Sequence, residues 1–168
     1  MKKYSAKDIG IMAVFLSVGL MLHYVETQLS FTSIPGGRLG LSNIVSIVNI
    51  FTFGGTNAFF IAALRSVLGS FLAGNPMAAL FSLSGACLSV LAMNNAKRLF
   101  FPKISETGLG ILGALAHNTA QMIAASLVYK SAYVFSYLPY FCFLSLVSGT
   151  FTGYCAKLIL KRFKEVLV

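Results

Sequence analysis

The chain has 168 residues, of which 57% are apolar and only 10% charged; its mean hydropathy is +0.83 and its formal net charge +9. Ordinary soluble domains carry about 25% charged residues, so this composition excludes one and leaves an integral membrane protein, long enough for one domain of about six spans of about 20 residues. The positive charge lies in short clusters between apolar runs, which is the pattern of membrane topology and not of nucleic-acid binding.

The first apolar run, Ile9–Val25, follows Lys2, Lys3 and Lys7. A signal peptide would have an h-region of about 7–15 residues ending at a small-residue cleavage site. This run is longer and leads into His23, Tyr24 and Glu26, so it reads as a retained first helix. Leu39–Phe53 and Asn57–Ala73 come next. As one helix, Leu39 to Ala73 would be roughly 52 Å long, too long for one crossing of a core about 30 Å thick and short for two. Gly54-Gly55-Thr56-Asn57 is a breaker in its middle, which leaves two short helices or one span with a long tail. The remaining spans are Met77–Asn94, Gly108–Val128 and Tyr137–Ala156. Cys87, Cys142 and Cys155 lie within apolar segments, match no zinc spacing and read as small core residues.

Basic residues mark the cytoplasmic side of short loops. Six spans with an inside N-terminus put Lys2, Lys3, Lys7, then Lys97, Arg98, Lys103, then Lys157, Lys161, Arg162 and Lys164 on that side. Only Arg38 and Lys130 fall outside, and Arg65 lies within a span. Five spans would turn the second and third clusters outward. The charge pattern therefore predicts an all-α bundle of six membrane-spanning helices in the cell membrane, with both termini in the cytoplasm. The outer connections are then Gln28–Arg38, Gly74-Asn75-Pro76 and Tyr129–Ser136.

Catalytic equipment is sparse. The acids are Asp8, Glu26, Glu106 and Glu165, with no two close in sequence. There is no phosphate loop ending in Gly-Lys-Ser or Gly-Lys-Thr, and no carboxylate pair for Mg²⁺–diphosphate chemistry. His23 and His117 belong to different helices with no other ligand at metal spacing. The expectation is a protein that is not an enzyme and holds no metal or other cofactor.

Polar residues inside the apolar runs are the candidates for ligand binding. Arg65 falls midway along its span, where a cation costs about 2.5–3.5 kcal/mol and should face the bundle interior. It reads as a ligand for an anionic group, or else as a structural partner for backbone carbonyls or Glu26, or as a snorkelling side chain in a short helix. His117, Asn118 and Gln121 share one turn of the fifth span and read as a polar lining or as an interhelical hydrogen-bond cluster. The glycine-rich stretch Pro35–Asn43, with Arg38 and a helix start, suits an anion at the outer face, or is a plain turn with an interfacial arginine. Gly85–Ser89, Ala13–Ser17 and Gly149–Gly153 are small-xxx-small pairs, which most often mark close helix packing; on the first helix such a pair can also dock a partner.

The runs Gly37-Arg38-Leu39-Gly40-Leu41-Ser42-Asn43-Ile44, Leu64-Arg65 with Leu68-Gly69, Ser82-Leu83-Ser84-Gly85, and Ala116-His117-Asn118 with Gln121 resemble the Gx transporter family, also catalogued as heptaprenyl diphosphate synthase component I. The match covers nearly the whole chain. That family is in turn similar to the S components of energy-coupling-factor (ECF) transporters. The resemblance implies a six-helix protein that captures a small molecule from outside, beneath the loop between its first two helices. It implies as partners a coupling membrane subunit and two ATPases, with docking through an Ala-xxx-Ala motif that falls here on Ala13 and Ser17. The expected substrate-binding residues are Arg38, Asn43, Arg65, Asn75, Ser84, His117, Asn118 and Gln121. The substrate expected is a small anionic or vitamin-, cofactor- or isoprenoid-related compound. The alternative is a non-catalytic accessory subunit of a complex in isoprenoid or quinone metabolism, or of a flavin-linked redox complex.

Overall fold

A computed structural model describes residues 5–29 and 39–167. It is all-helical: α1 (Ala6–Leu29), α2 (Asn43–Thr52), α3 (Gly55–Leu72), α4 (Ala78–Phe100), α5 (Glu106–Tyr129) and α6 (Leu138–Leu167), with a 3₁₀ segment at Ala132–Tyr137 leading into α6. Among the described residues, five helices are long and apolar enough to cross a membrane, and α2 is a shorter apolar helix. The helices of the bundle are thus those expected, but Leu39–Phe53 yields only ten helical residues, about 15 Å or half a hydrocarbon core.

The breaker at Gly54-Gly55 does what its sequence implies. Gly54 has φ 90°, a left-handed backbone that suits glycine, and it reverses the chain so that α2 and α3 form a hairpin. Arg65, ten residues into α3, accordingly reaches back to Ser42, ten residues before the end of α2. Farther on, Ser105 caps α5 by accepting a bond from the Gly108 N–H (3.1 Å). Lys130, with φ 50°, closes α5 in the left-handed conformation.

The bundle is apolar on its outside as well as in its core, and its core also holds many polar side chains. Val14, Met21, Phe60, Leu127 and Phe143 are exposed on the outside. Ser46, Ser66, Ser82, Ser89, Ser145 and Thr152 are buried inside. Lipid rewards this arrangement, because apolar side chains need no cover there and polar ones do. α2 is the central element: it packs against each of the other five α-helices, and Val45, Ile47, Val48 and Ile50 are buried in the core. Among the described residues, α1 packs its backbone against α2 and α3 and reaches α6 through the Phe15 ring, so it stands at the edge.

Aromatic contacts and one hydrogen bond put Arg162 and Lys97 on the side of the bundle that holds the α2–α3 turn. Phe15 of α1 meets Phe53 of the α2–α3 turn (6.1 Å) and Phe163 of α6 (5.8 Å). At the same turn, Lys97 of α4 donates to the Ile50 carbonyl (2.9 Å) and lies 4.1 Å from the Phe51 ring. A cation at the C-terminus of α2 is favoured by the helix dipole as well as by the ring. With the three native cysteines replaced by alanine, single cysteines at positions 98 and 131 should label from opposite sides of the membrane; labelling from one side only would break the six-crossing topology.

Candidate ligand site in the polar core

Each inner helix contributes one polar stripe. On α2 it is Asn43, Ser46 and Asn49, spaced three apart; on α3, Arg65, Ser66 and Ser70; on α4, Ser82, Gly85 and Ser89; on α5, His117, Asn118 and Gln121; on α6, Ser145, Ser148 and Thr152. All of these side chains are buried, and helical spacing puts each set on one face.

The first group of contacts joins α1, α2 and α3. A Cβ added at Gly19 of α1 would lie 2.8 Å from Cδ of Arg65, and one at Gly69 of α3 would lie 2.6 Å from Cδ2 of His23. The two helices therefore exchange space: the glycine of each receives the polar side chain of the other. Gly19 and His23, like Arg65 and Gly69, are four residues apart. Glu26, one turn beyond His23, is also buried. Its carboxylate accepts a hydrogen bond from the Gly40 N–H, while the Arg65 guanidinium donates to the Ser42 carbonyl. Opposite charges thus hold the same short segment at the start of α2.

The second group joins α4, α5 and α6. A Cβ at Gly85 would lie 2.9 Å from His117 and 3.0 Å from Cγ of Gln121, so this glycine lets both side chains settle against α4. Asn118 donates to Ser145 Oγ (2.8 Å). Ser84 is half-buried; its hydroxyl bonds the Phe81 carbonyl of its own helix (2.9 Å) and faces the Ala120 carbonyl of α5 (3.5 Å).

The informative feature is what these groups do not satisfy. Asn43, Asn49 and Gln121 are fully buried (0% exposed), and neither the oxygen nor the nitrogen of any of their side-chain amides has a hydrogen-bond partner. Asn118 Oδ1 and the hydroxyls of Ser89 and Ser148 are in the same condition. Leaving one such group unbonded costs about 1–3 kcal/mol, and native interiors tolerate few. An amide offers two donors and a carbonyl acceptor. Three of them with those valences unused make a core suited to a ligand carrying its own donors and acceptors.

Of the sequence candidates, Asn43, Arg65, His117, Asn118 and Gln121 belong to the buried polar core, and Ser84 borders it. Asn75 stands apart: it is exposed in the turn before α4, where its Oδ1 accepts from the Ala78 N–H (3.1 Å). Arg38 lies outside the described residues. Ala13 and Ser17 are exposed on α1, the serine hydroxyl returning to the Ala13 carbonyl (2.9 Å). The structure adds His23, Glu26 and Asn49 to the core. The first two carried a legible signal, two ionisable groups one turn apart at the end of an apolar run. Asn49 is a single amide among Ile and Val and gave little. Among the described residues, no three His, Cys, Asp or Glu side chains gather at metal-binding spacing.

No curated protein and no solved structure matches the chain. A family model described as heptaprenyl diphosphate synthase component I matches residues 15–159, a span that takes in every polar stripe described above, and the chain belongs to that family.

Proposed function

We propose that this chain is the substrate-binding membrane subunit of an uptake transporter, working like the S component of an ECF system and performing no chemistry of its own. The observation that carries this reading is the set of buried, unpartnered amides of Asn43, Asn49 and Gln121. A purely structural core gains nothing from such groups, whereas a binding site uses them to fix a ligand's orientation. Arg65 favours a ligand with an anionic group. Glu26, tethered to the same segment, offsets that charge, so donor and acceptor pattern matters more to recognition than net charge. The family's description favours a second reading, a non-catalytic accessory subunit in isoprenoid or quinone metabolism or in a flavin-linked redox complex.

Mass spectrometry of small molecules retained by gently purified protein tests the binding role. A stoichiometric polar compound that also raises the melting temperature supports it; a preparation that carries none, and that cell extracts fail to stabilise, counts against it. Co-isolation separates the two readings: ATPases with a coupling membrane subunit for the first, a prenyl transferase or redox subunit for the second.

In this proposal both termini face the cytoplasm, and the coupling subunit docks on the exposed Ala13–Ser17 face of α1. Ala13→Leu and Ser17→Leu should each abolish co-purification of the coupling subunit and leave ligand binding within about twofold, since surface changes of this kind typically move stability by less than about 0.5 kcal/mol. Undiminished association in both variants would remove α1 from the docking surface.

A further inference from the structure

α1 and α6 both pack on α2 and meet each other at the Phe15 and Phe163 rings (5.8 Å), without close backbone approach. Between them lies a cleft of about 710 Å³, walled by Gly10, Val14 and Val18 of α1, floored by Val48 of α2, and closed on the far side by Cys155 and Ile159 of α6. Its lining is apolar except for Lys7 at one end. We propose that this cleft seats an acyl chain of an anionic phospholipid, with the lipid phosphate at the Lys7 ammonium.

Dimensions favour a hydrocarbon chain over a partner's helix. From Lys7 to Leu22 the cleft follows α1 for about 22 Å, against about 15 Å for one leaflet's half of the hydrocarbon core. The cleft is thus long and narrow, the shape of an extended hydrocarbon chain. A Cβ built at Gly10 meets nothing within 4 Å, so this wall is open along its edge. Charge then selects the headgroup. Asp8 is engaged by the Ser5 N–H (2.9 Å), and Glu165 by Arg162 (3.0 Å), so the nearby acids are already occupied. Lys7 is exposed at the mouth, and Arg162 follows Ile159 by three residues on α6. Basic side chains at this depth attract anionic lipid.

The chain contains no tryptophan, which makes the test direct. Val14→Trp and Ile159→Trp place a fluorophore on opposite walls; Phe60→Trp, on the exposed face of α3, is the control. Each variant is reconstituted in phosphatidylcholine vesicles containing a minor fraction of brominated-chain phosphatidylglycerol or of brominated-chain phosphatidylcholine. The glycerol lipid should quench position 14 or 159 about fivefold more effectively than the choline lipid, the factor one basic residue near the surface contributes. Position 60 should show no preference, and Lys7→Gln should erase the preference at 14 and 159. Equal quenching by the two lipids at the cleft, the same preference at position 60, persistence after Lys7→Gln, or no quenching at the cleft by either lipid each overturns the proposal. If one cleft variant fails to fold, the other decides.

Discussion

Gly149→Leu should leave no folded bundle. α5 and α6 meet backbone to backbone: a Cβ at Gly149 would lie 2.5 Å from Cα of Ile111, one at Gly110 would lie 2.3 Å from the Gly149 carbonyl oxygen, and one at Gly153 would lie 2.6 Å from the Glu106 carbonyl oxygen. These neighbours are main chain and cannot rotate away. A side chain here separates the two helices along their whole crossing and breaks the Asn118–Ser145 bond above it. Overpacking in an ordinary core costs about 1–3 kcal/mol, and a backbone contact spread over three glycines should exceed that range, out of a total stability of about 5–15 kcal/mol. The measurement is the melting temperature and monodispersity of detergent-purified protein. Gly10→Ala is the control: its Cβ meets nothing within 4 Å, and alanine is the better helix former by about 1 kcal/mol, so the variant should melt at or above the wild-type temperature. A Gly149→Leu protein that melts like wild type would show that the α5–α6 crossing is looser than described.

The second large effect has the opposite sign for stability. Gln121→Met keeps the length and shape of a fully buried side chain and removes two polar atoms that have no partner. Exchanging unsatisfied polar atoms for apolar ones of the same shape is neutral or stabilising, here by about 1 kcal/mol in the unliganded protein. If Gln121 serves a ligand, the same change removes its hydrogen bonds and weakens binding about 10- to 100-fold, corresponding to roughly 1.4–2.8 kcal/mol. Stability that holds or rises while affinity collapses is the mark of a binding residue. A parallel loss of both, seen in melting curves with and without the ligand recovered from the purified protein, would mean that Gln121 holds the bundle together instead. Asn49→Leu should behave likewise.

The sequence disclosed most of the architecture because lipid enforces a simple code. Apolar runs became helices and the Gly54-Gly55 breaker became the hairpin turn. The site was legible wherever polar residues interrupt apolar runs, as with Arg65, His117 and Gln121. Loops carry no such contrast. Asn75 has the composition of a binding residue and of a turn residue alike, and the structure finds it capping α4. The pairing of Gly19 with Arg65 and of Gly69 with His23 could not be read ahead of the fold, because it depends on which faces of α1 and α3 meet. The deep burial of α2 was equally hidden. Its length marks a short helix, but only tertiary packing makes it the centre.

That central position has a consequence for biosynthesis. The α2–α3 hairpin leaves the ribosome early, and at about 15 Å α2 is too short to hold a place in the bilayer by its own hydrophobicity. The walls it rests on include α6, the last helix to be made. Until that helix arrives, α2 lacks one of its five walls, so the shelter of Asn43, Ser46 and Asn49 is complete only when α6 has packed.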